Sequence, residues 1–221
     1  MERIITPEIL DDLSPEDPRA IRSRRDLLKI NAFLGNARWV RRELQKCREI
    51  EEGIVELGAG DGMLCRDLHR SLGSISVTGL DFTPRPGKLD DGIQWQSGDF
   101  FTTLPGVKGG VCIGNLILHH FSQDTLRALG QELERFSVLV FTEPLRSHLP
   151  LLFSHLAWPF AGEVTRHDMP ASIRAGFRKG ELPALLGLHS GRWIVRETSS
   201  WLGSLRLIAF RRDPAPKDIG L

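Results

Sequence analysis

Between residues 53 and 142 the chain alternates short apolar runs with stretches of helical period. Ile54-Val55-Glu56-Leu57 is an apolar run with Gly58 at its end, and Ile75–Leu80, Gly92–Gln96, Gly110–Leu116 and Val138–Thr142 repeat the form. Runs of this length, bounded by turn residues, predict strands. Between them Asp61–Leu72 and Ser122–Arg135 space their apolar residues at three and four, the period of a helix. Asp61 stands near the start of the first of these and Gly73 just past its end, where a start signal and a stop signal belong. Strands that alternate with helices predict a parallel sheet covered by helices.

The flanks follow other patterns. Residues 1–20 are charged and carry Pro7, Pro15 and Pro18, which predicts an extended, loosely held segment. From Ile21 to Cys47 the period is helical again, and Gly35-Asn36 divides it into two helices. Their Arg22, Arg24, Arg25, Arg38, Arg41 and Arg42 read as a solvated basic face. Beyond Pro144 the rhythm breaks. An apolar stretch, Leu149–Phe160, is followed by a predicted polar turn at Glu163–Pro170 and a helical segment at Ala171–Leu188. Arg192–Glu197 and Ser204–Phe210 then read as two strands at hairpin spacing. This divides the chain into an N-terminal helical extension (1–48), one α/β domain (49–212) with an insertion at 144–188, and a flexible tail (213–221). The insertion has three readings: a wall packed on the sheet, a lid over a substrate, or a membrane-surface contact.

Composition narrows the functional classes. At 221 residues the chain has room for one domain with additions, and a net charge of +1 gives no overall footprint for a nucleic-acid backbone. Cys47, Cys65 and Cys112 are far apart and odd in number, with no metal-ligand spacing. They predict buried free thiols and a reducing, cytoplasmic location, and no metal site is expected. The first residues lack the apolar run of a signal peptide, and no stretch approaches the roughly 18 apolar residues of a membrane span.

The chemistry concentrates in Val55-Glu56-Leu57-Gly58-Ala59-Gly60-Asp61-Gly62, a strand, a glycine-rich turn and a helix. Glycines let the backbone approach a ligand, and the helix start directs free N–H groups at it. A dinucleotide fingerprint would need a glycine at Met63, and a phosphate-binding P-loop would need GxxxxGK[ST]; neither is present. Glu56, two residues before Gly58, is poorly suited to a pyrophosphate and well suited to a cationic amino group. Asp81 ends the second strand, 25 residues after Glu56, where a carboxylate accepts hydrogen bonds from a ribose. Phe82 beside it can pack on a base. Asp99 follows the third strand and can accept from an amino group, with Phe100 as a second wall, and Asn115 ends the fourth strand. All of these stand at the carboxyl ends of strands, where open α/β sheets bind ligands.

In these positions the sequence resembles the class I methyltransferases that use S-adenosylmethionine (SAM). The resemblance covers about residues 50–142. It puts Glu56, Gly58, Ala59, Gly60 and Gly62 on the glycine-rich first motif, Asp81 on the ribose acid, Asp99 on the adenine-side acid and Asn115 on the fourth motif, beside the methyl group. It implies SAM as cofactor and a Rossmann-like, seven-stranded, mainly parallel sheet with an antiparallel last strand. After Asn115 the chain lacks the [DN]-P-P-[FYW] of amino-methylating DNA enzymes and the Pro-Cys of cytosine-C5 enzymes. Its Leu118-His119-His120-Phe121 is similar to small-molecule methyltransferases of quinone and polyketide pathways, which implies a small, largely apolar acceptor. A phenol or enol oxygen is the first choice and an activated ring carbon the second. An oxygen nucleophile gains from a base, and His120 and His167 are the candidates. Arg38 or Trp39 could reach the cofactor from the N-terminal helices. The alternatives are a SAM-binding protein without turnover, a nucleic-acid or protein methyltransferase, and a nicotinamide-dependent reductase.

Overall fold

The computed structural model describes residues 1–14, 16–73 and 75–212. The predicted strands form at the predicted places: β1 Ile54–Leu57, β2 Val77–Asp81, β3 Ile93–Ser97, β4 Val111–Asn115, β5 Val138–Pro144, β6 Trp193–Ser199 and β7 Ser204–Arg211. They make one seven-stranded sheet in the order β3-β2-β1-β4-β5-β7-β6. β1 to β5 pair in parallel, and β7 runs antiparallel to both β5 and β6. The strand order reverses between β1 and β4, so the carboxyl ends of these two open a crevice at the switch point.

Alternation along the strands divides the core in two. Ile54, Val77, Ile93, Val111, Ile113, Val138 and Val140 point to one face. There they meet Leu64, Cys65 and Leu68 of α4 (Met63–Leu72) and Val40 and Leu44 of α3 (Asn36–Leu44). Val55, Leu57, Cys112, Leu139 and Phe141 point to the other, against Leu126, Leu129 and Leu133 of α6 (Gln123–Leu133). The two faces bury complementary halves of each strand, the pattern of a doubly covered parallel sheet. Cys47, Cys65 and Cys112 are free and buried, as expected of small apolar side chains.

The break at Gly35 is observed: α2 (Pro18–Leu34) ends there at φ 67°, and α3 follows at once. Asp17 starts α2 by accepting from the Arg19 amide, with Pro18 at the first helical position.

Two expectations fail. The N-terminal segment is not a loose extension. It forms a short helix, α1 (Ile9–Asp12), and lies against α8 (Glu163–Ala175). Arg3 donates to the carbonyls of Ala175, His119 and Phe121 at 2.7, 3.0 and 2.9 Å. Prolines and charges signalled extension, but long-range hydrogen bonds hold the segment down. Nor is Glu163–Pro170 a turn: it is the first two turns of α8, with Pro170 inside the helix. Pro170 is buried, and tertiary packing overrides its helix-breaking tendency. The rest of the insertion comprises α7 (His148–Leu156) and α9 (Glu181–Leu185). The predicted tail, 213–221, lies outside the described residues. Among the described residues no helix is long and apolar enough to cross a membrane.

Candidate functional site

The glycine turn between β1 and α4 is built by backbone geometry. Gly58, Gly60 and Gly62 all take positive φ, at 64°, 56° and 71°. A Cβ on Gly58 would stand 2.5 Å from Cγ1 of Ile117, so the turn after β1 is locked against the loop after β4. A Cβ on Gly60 would meet nothing within 4 Å, so the exposed crest of the turn faces open space. Asp81 reaches across from the end of β2. One carboxylate oxygen accepts from the Gly60 amide at 2.8 Å, and the other from the amide and hydroxyl of Thr83 at 2.9 and 2.8 Å. Ala59 gives its amide to the Leu80 carbonyl and is buried, so it supports the turn instead of presenting a donor.

Glu56 lies under this turn at 3% exposure. Its carboxylate meets the Cys65 thiol at 2.9 Å and, among the described residues, no cation. Burial, reinforced by the nearby Asp61 and Asp81, outweighs the hydrogen bond from Cys65 and pushes its pKa up to about 8.

The adenine-side residues are brought together, with one difference from expectation. Phe82 is two-thirds exposed, with its ring 6.2 Å from that of Phe100. Phe100, expected as a second wall, is buried, and its other neighbour is Phe121 at 5.8 Å. It belongs to the core because it opens α5 (Phe100–Thr103) facing inward. Asp99 is exposed and caps α5 through one oxygen, which accepts from the Phe101 amide at 2.8 Å. Its role as a cap is the ordinary one for Asp before a helix and leaves the second oxygen open.

On the α3 face of the sheet, polar residues continue the carboxyl edge. Asn115 accepts from the Thr142 hydroxyl at 2.6 Å, and Thr142 stands opposite Arg206 on β7. Arg206 donates to the Leu34 carbonyl at 2.8 Å and covers the Trp39 ring at 5.6 Å. Asn36, fully buried at the start of α3, pairs neither amide atom among the described residues, and Asn31 Oδ1 is also without a partner among them. Sequence reasoning named Arg38 and Trp39 here and missed Asn36 and Arg206. Arg38 faces solvent, and the Gly35-Asn36 break was the available signal.

Beyond β4 the chain strains. Leu116 takes φ 59°, a conformation rare for a residue with a branched side chain, and the loop then turns through Leu118–His120. Glu143, buried at the end of β5, holds this loop. It accepts from the amides of Ile117, Leu118 and His119 at 3.1, 2.8 and 3.2 Å, and from His119 Nδ1 at 2.7 Å. His119 Nε2 faces Glu8 of the N-terminal segment at 3.7 Å. Burial alone would lower the His119 pKa, but Glu143 and then Glu8 raise it to about 9. The His120 ring lies 4.3 Å from His119, half-buried, with Nδ1 3.8 Å from Asp11. Burial first and the His119 charge second lower its pKa, against the pull of Glu8, Asp11 and Glu143. The donor atoms of Glu8, His119 and His120 lie within 4.8 Å of one another. His119 sits between the Glu143 and Glu8 carboxylates, so the three groups can share protons. His167 is not in a loop. It sits on α8 with Nδ1 2.9 Å from Asp168, whose carboxylate caps α1 by accepting from the amides of Ile9 and Leu10.

No family model matches the chain, and no curated protein sequence matches it. Solved structures do match. The plantazolicin methyltransferase BpumL in complex with SAH superposes with a TM-score of 0.69 at 12% identity, over 90% of this chain and 92% of that one. This is the class I methyltransferase fold. The pyocyanin biosynthetic protein PhzM matches with a TM-score of 0.60 at 20% identity, over 89% of this chain. Human N-acetylserotonin methyltransferase in complex with SAM matches at 0.62 and 15%, over 90% of this chain. The chain spans 60% of the length of each of these two. At such identities the likeness establishes the fold, and the site must carry any functional argument.

Proposed function

We propose that the protein is a SAM-dependent methyltransferase acting on a small, largely apolar acceptor, with a phenol or enol oxygen as nucleophile. The observation that carries this reading is the open crest of the glycine turn at Gly60, with the Asp81 carboxylate beside it, at the switch point of the sheet. The fold neighbours solved with SAH or SAM support it. SAM, when bound, supplies a methyl group activated by its sulfonium.

The chain's own residues would hold that ligand as follows. Asp81 accepts from the ribose hydroxyls, Phe82 covers the adenine, and the free oxygen of Asp99 accepts from the adenine amino group. Glu56, a buried acid without a cation, suits the ammonium of the methionine end, whose charge would favour its ionised form. Asn115 and Ile117, at and just after the end of β4, would lie beside the methyl group. His120, kept neutral beside His119, takes the proton of the acceptor oxygen as that oxygen is methylated. The geometry favours His120 over the second candidate, His167, because His120 adjoins the β4 loop that touches the glycine turn, whereas His167 is held to Asp168 on α8.

The test is calorimetric titration with S-adenosylhomocysteine, with NADH as control. Binding of the first alone is expected, and Asp81→Ala should weaken it about 10- to 100-fold, the effect of losing hydrogen bonds to a charged acceptor. Unchanged affinity in that variant would remove the ribose assignment. Binding without turnover on phenolic or enolic acceptors would remove the oxygen nucleophile and turn the search to activated ring carbons, and binding without turnover on any acceptor class would favour a SAM-binding protein without turnover.

A further inference from the structure

The insertion carries an apolar surface that the proposed chemistry does not use. Along α7, Leu149, Leu152, Phe153 and Leu156 recur at i, i+3, i+4 and i+7, so they share one face, and all four are exposed. The stripe continues past the helix end. Leu156 is 63% exposed and Phe160, in the turn Trp158–Phe160, is 84% exposed. The β6–β7 turn extends it at the other end, where Gly203 abuts Pro150 and nearby Trp201 is 75% exposed. α7 buries only Pro150 and Ser154, so the sequence expectation of a wall packed on the sheet does not hold for this helix. A contiguous apolar ridge of this size on a folded chain marks a contact surface.

Charge identifies the occupant. The Arg22 side chain lies across Gly162, at 3.0 to 3.2 Å from the position of a Cβ there, directly after the Phe160 turn. Arg166 donates to the carbonyls of Trp158 and Ala161 at 2.8 and 2.9 Å, which fixes a second guanidinium beside the same turn. From Arg22 a stripe of exposed residues runs along α2 through Arg25, Lys29 and Phe33, spaced by three, four and four. Residues 18–48 hold ten Arg and Lys against Asp26 and Glu43, in a chain whose net charge is only +1. The acids near this end are Glu16, Asp17, Glu163 and Asp26: Asp17 pairs with Arg19 at 2.8 Å, Glu163 also acts on Arg19, Glu16 lies near Arg24, and the buried Asp26 accepts from the Gly162 amide at 2.8 Å. Leucine and aromatic side chains on one ridge, flanked by cations and without a membrane-spanning helix, have the composition of an interfacial membrane contact.

We propose that the α7 ridge and the basic stripe of α2 dock the protein onto an anionic lipid bilayer. Phe160, Leu156 and Trp158 enter the interface, and Arg22, Arg25 and Lys29 meet the headgroup phosphates. The surface is independent of the glycine turn, so the proposal stands or falls apart from the methyltransferase reading.

The experiment is flotation of the full chain with vesicles of phosphatidylcholine containing phosphatidylglycerol, against phosphatidylcholine alone, with no cofactor present. The wild type should float with the anionic vesicles and bind the neutral ones at least about tenfold less, since each basic residue near an anionic surface contributes a several-fold factor. Phe160→Asp and Leu156→Asp should each lower binding to anionic vesicles about tenfold or more, and Arg25→Glu with Lys29→Glu should erase the preference for anionic lipid. These positions are exposed, so the variants should fold, which circular dichroism checks. Absence of vesicle binding by the wild type, or binding unaffected by Phe160→Asp, would overturn the proposal. A wild-type dimer in size-exclusion chromatography that Phe160→Asp converts to monomer would also overturn it, because the ridge would then be covered by a second copy.

Discussion

The two halves of the carboxyl edge of the sheet are built by different means. On the β1–β3 side, the turn is shaped by backbone: three glycines at positive φ, and an Asp81 that bridges to Gly60 within 21 residues of sequence. On the β4–β5 side, the loop is shaped by buried side chains, one of them from the far end of the chain. Glu143 grips residues 24 to 26 positions away, and Glu8 approaches His119 from the far end of the chain. A ligand-binding half made of local geometry recurs wherever its short motif recurs. The other half depends on segments remote in sequence, and those can differ between proteins that share the fold. The difference makes unlike predictions for the two sides.

The largest effect belongs to the local side. Gly58→Ala puts a Cβ 2.5 Å from Ile117 at a φ of 64°, a conformation that costs a residue with a side chain about 1–2 kcal/mol before any clash is counted. The turn and the β4 loop must both move, and S-adenosylhomocysteine binding should become undetectable by calorimetry while the far-ultraviolet dichroism stays native. Binding within about threefold of wild type would show that the turn is not the cofactor cradle.

Next comes His120→Ala on the remote side. It should leave S-adenosylhomocysteine affinity unchanged and lower kcat about 100- to 10,000-fold on an oxygen acceptor, the usual contribution of a positioned base. His120 ionises below the ordinary histidine range, so its base form persists to mildly acidic pH, and the acidic limb of the wild-type rate profile should vanish in the variant. Full turnover with an unchanged profile would transfer the role to another group, with His167 the first to test.

The same contrast explains what the sequence could reveal. β1, β2, β4, β5 and β7 were legible as short apolar runs closed by turn residues, β3 and β6 less so because they mix polar with apolar positions, and the Gly35 break was legible from one dipeptide. Gly58, Gly60, Asp81 and Asn115 could be placed because each stands at or just past the carboxyl end of a strand that the sequence pattern marks. The anchoring of residues 1–14 could not be, because nothing in Arg3 or Glu8 announces partners more than 100 positions away. Of the adjacent histidines, the sequence favoured His120 and expected one of the two to be structural, but it carried no sign of the Glu143 and Glu8 carboxylates that hold His119. Phe100 was misjudged because an aromatic residue after Asp suits a base and a core equally, and only packing decides. Pro170 suggested a turn because its missing amide is local information, while the burial that keeps it in α8 is not.

A thermal measurement sharpens the comparison further. Glu143→Gln leaves a charged, buried His119 with one carboxylate and weakens the hold on three amides. Loss of one partner of a buried pair costs about 3–5 kcal/mol, and the variant should unfold at a clearly lower temperature. The pH sign follows from His119. Its pKa rises from 6.5 in the unfolded chain to about 9 in the fold. The stabilisation it supplies is complete below 6.5 and is lost as the pH rises through about 9. Wild-type stability should therefore fall across that window, and in Glu143→Gln the fall should be shallower. Equal slopes would place the charge elsewhere.

The smallest effect returns to the local side. Glu56 is held protonated by burial, with a pKa near 8 against 4.5 when unfolded. A fold that binds a proton more tightly than the unfolded chain loses stability as the pH rises from 4.5 through 8. Glu56→Gln keeps the shape and removes the titration, so its stability should be flatter than wild type over that range and higher near pH 8. Without an acid to meet the ammonium, S-adenosylhomocysteine affinity should drop about tenfold or less, near 1.4 kcal/mol. The wild type should release protons on binding at pH 7, as the ligand's charge favours the carboxylate, and calorimetry in buffers of different ionisation enthalpy reads that release directly. If wild type and Glu56→Gln release the same number of protons, Glu56 does not contact the ligand's cation, and the motif acid is then a core residue held under the turn by Cys65.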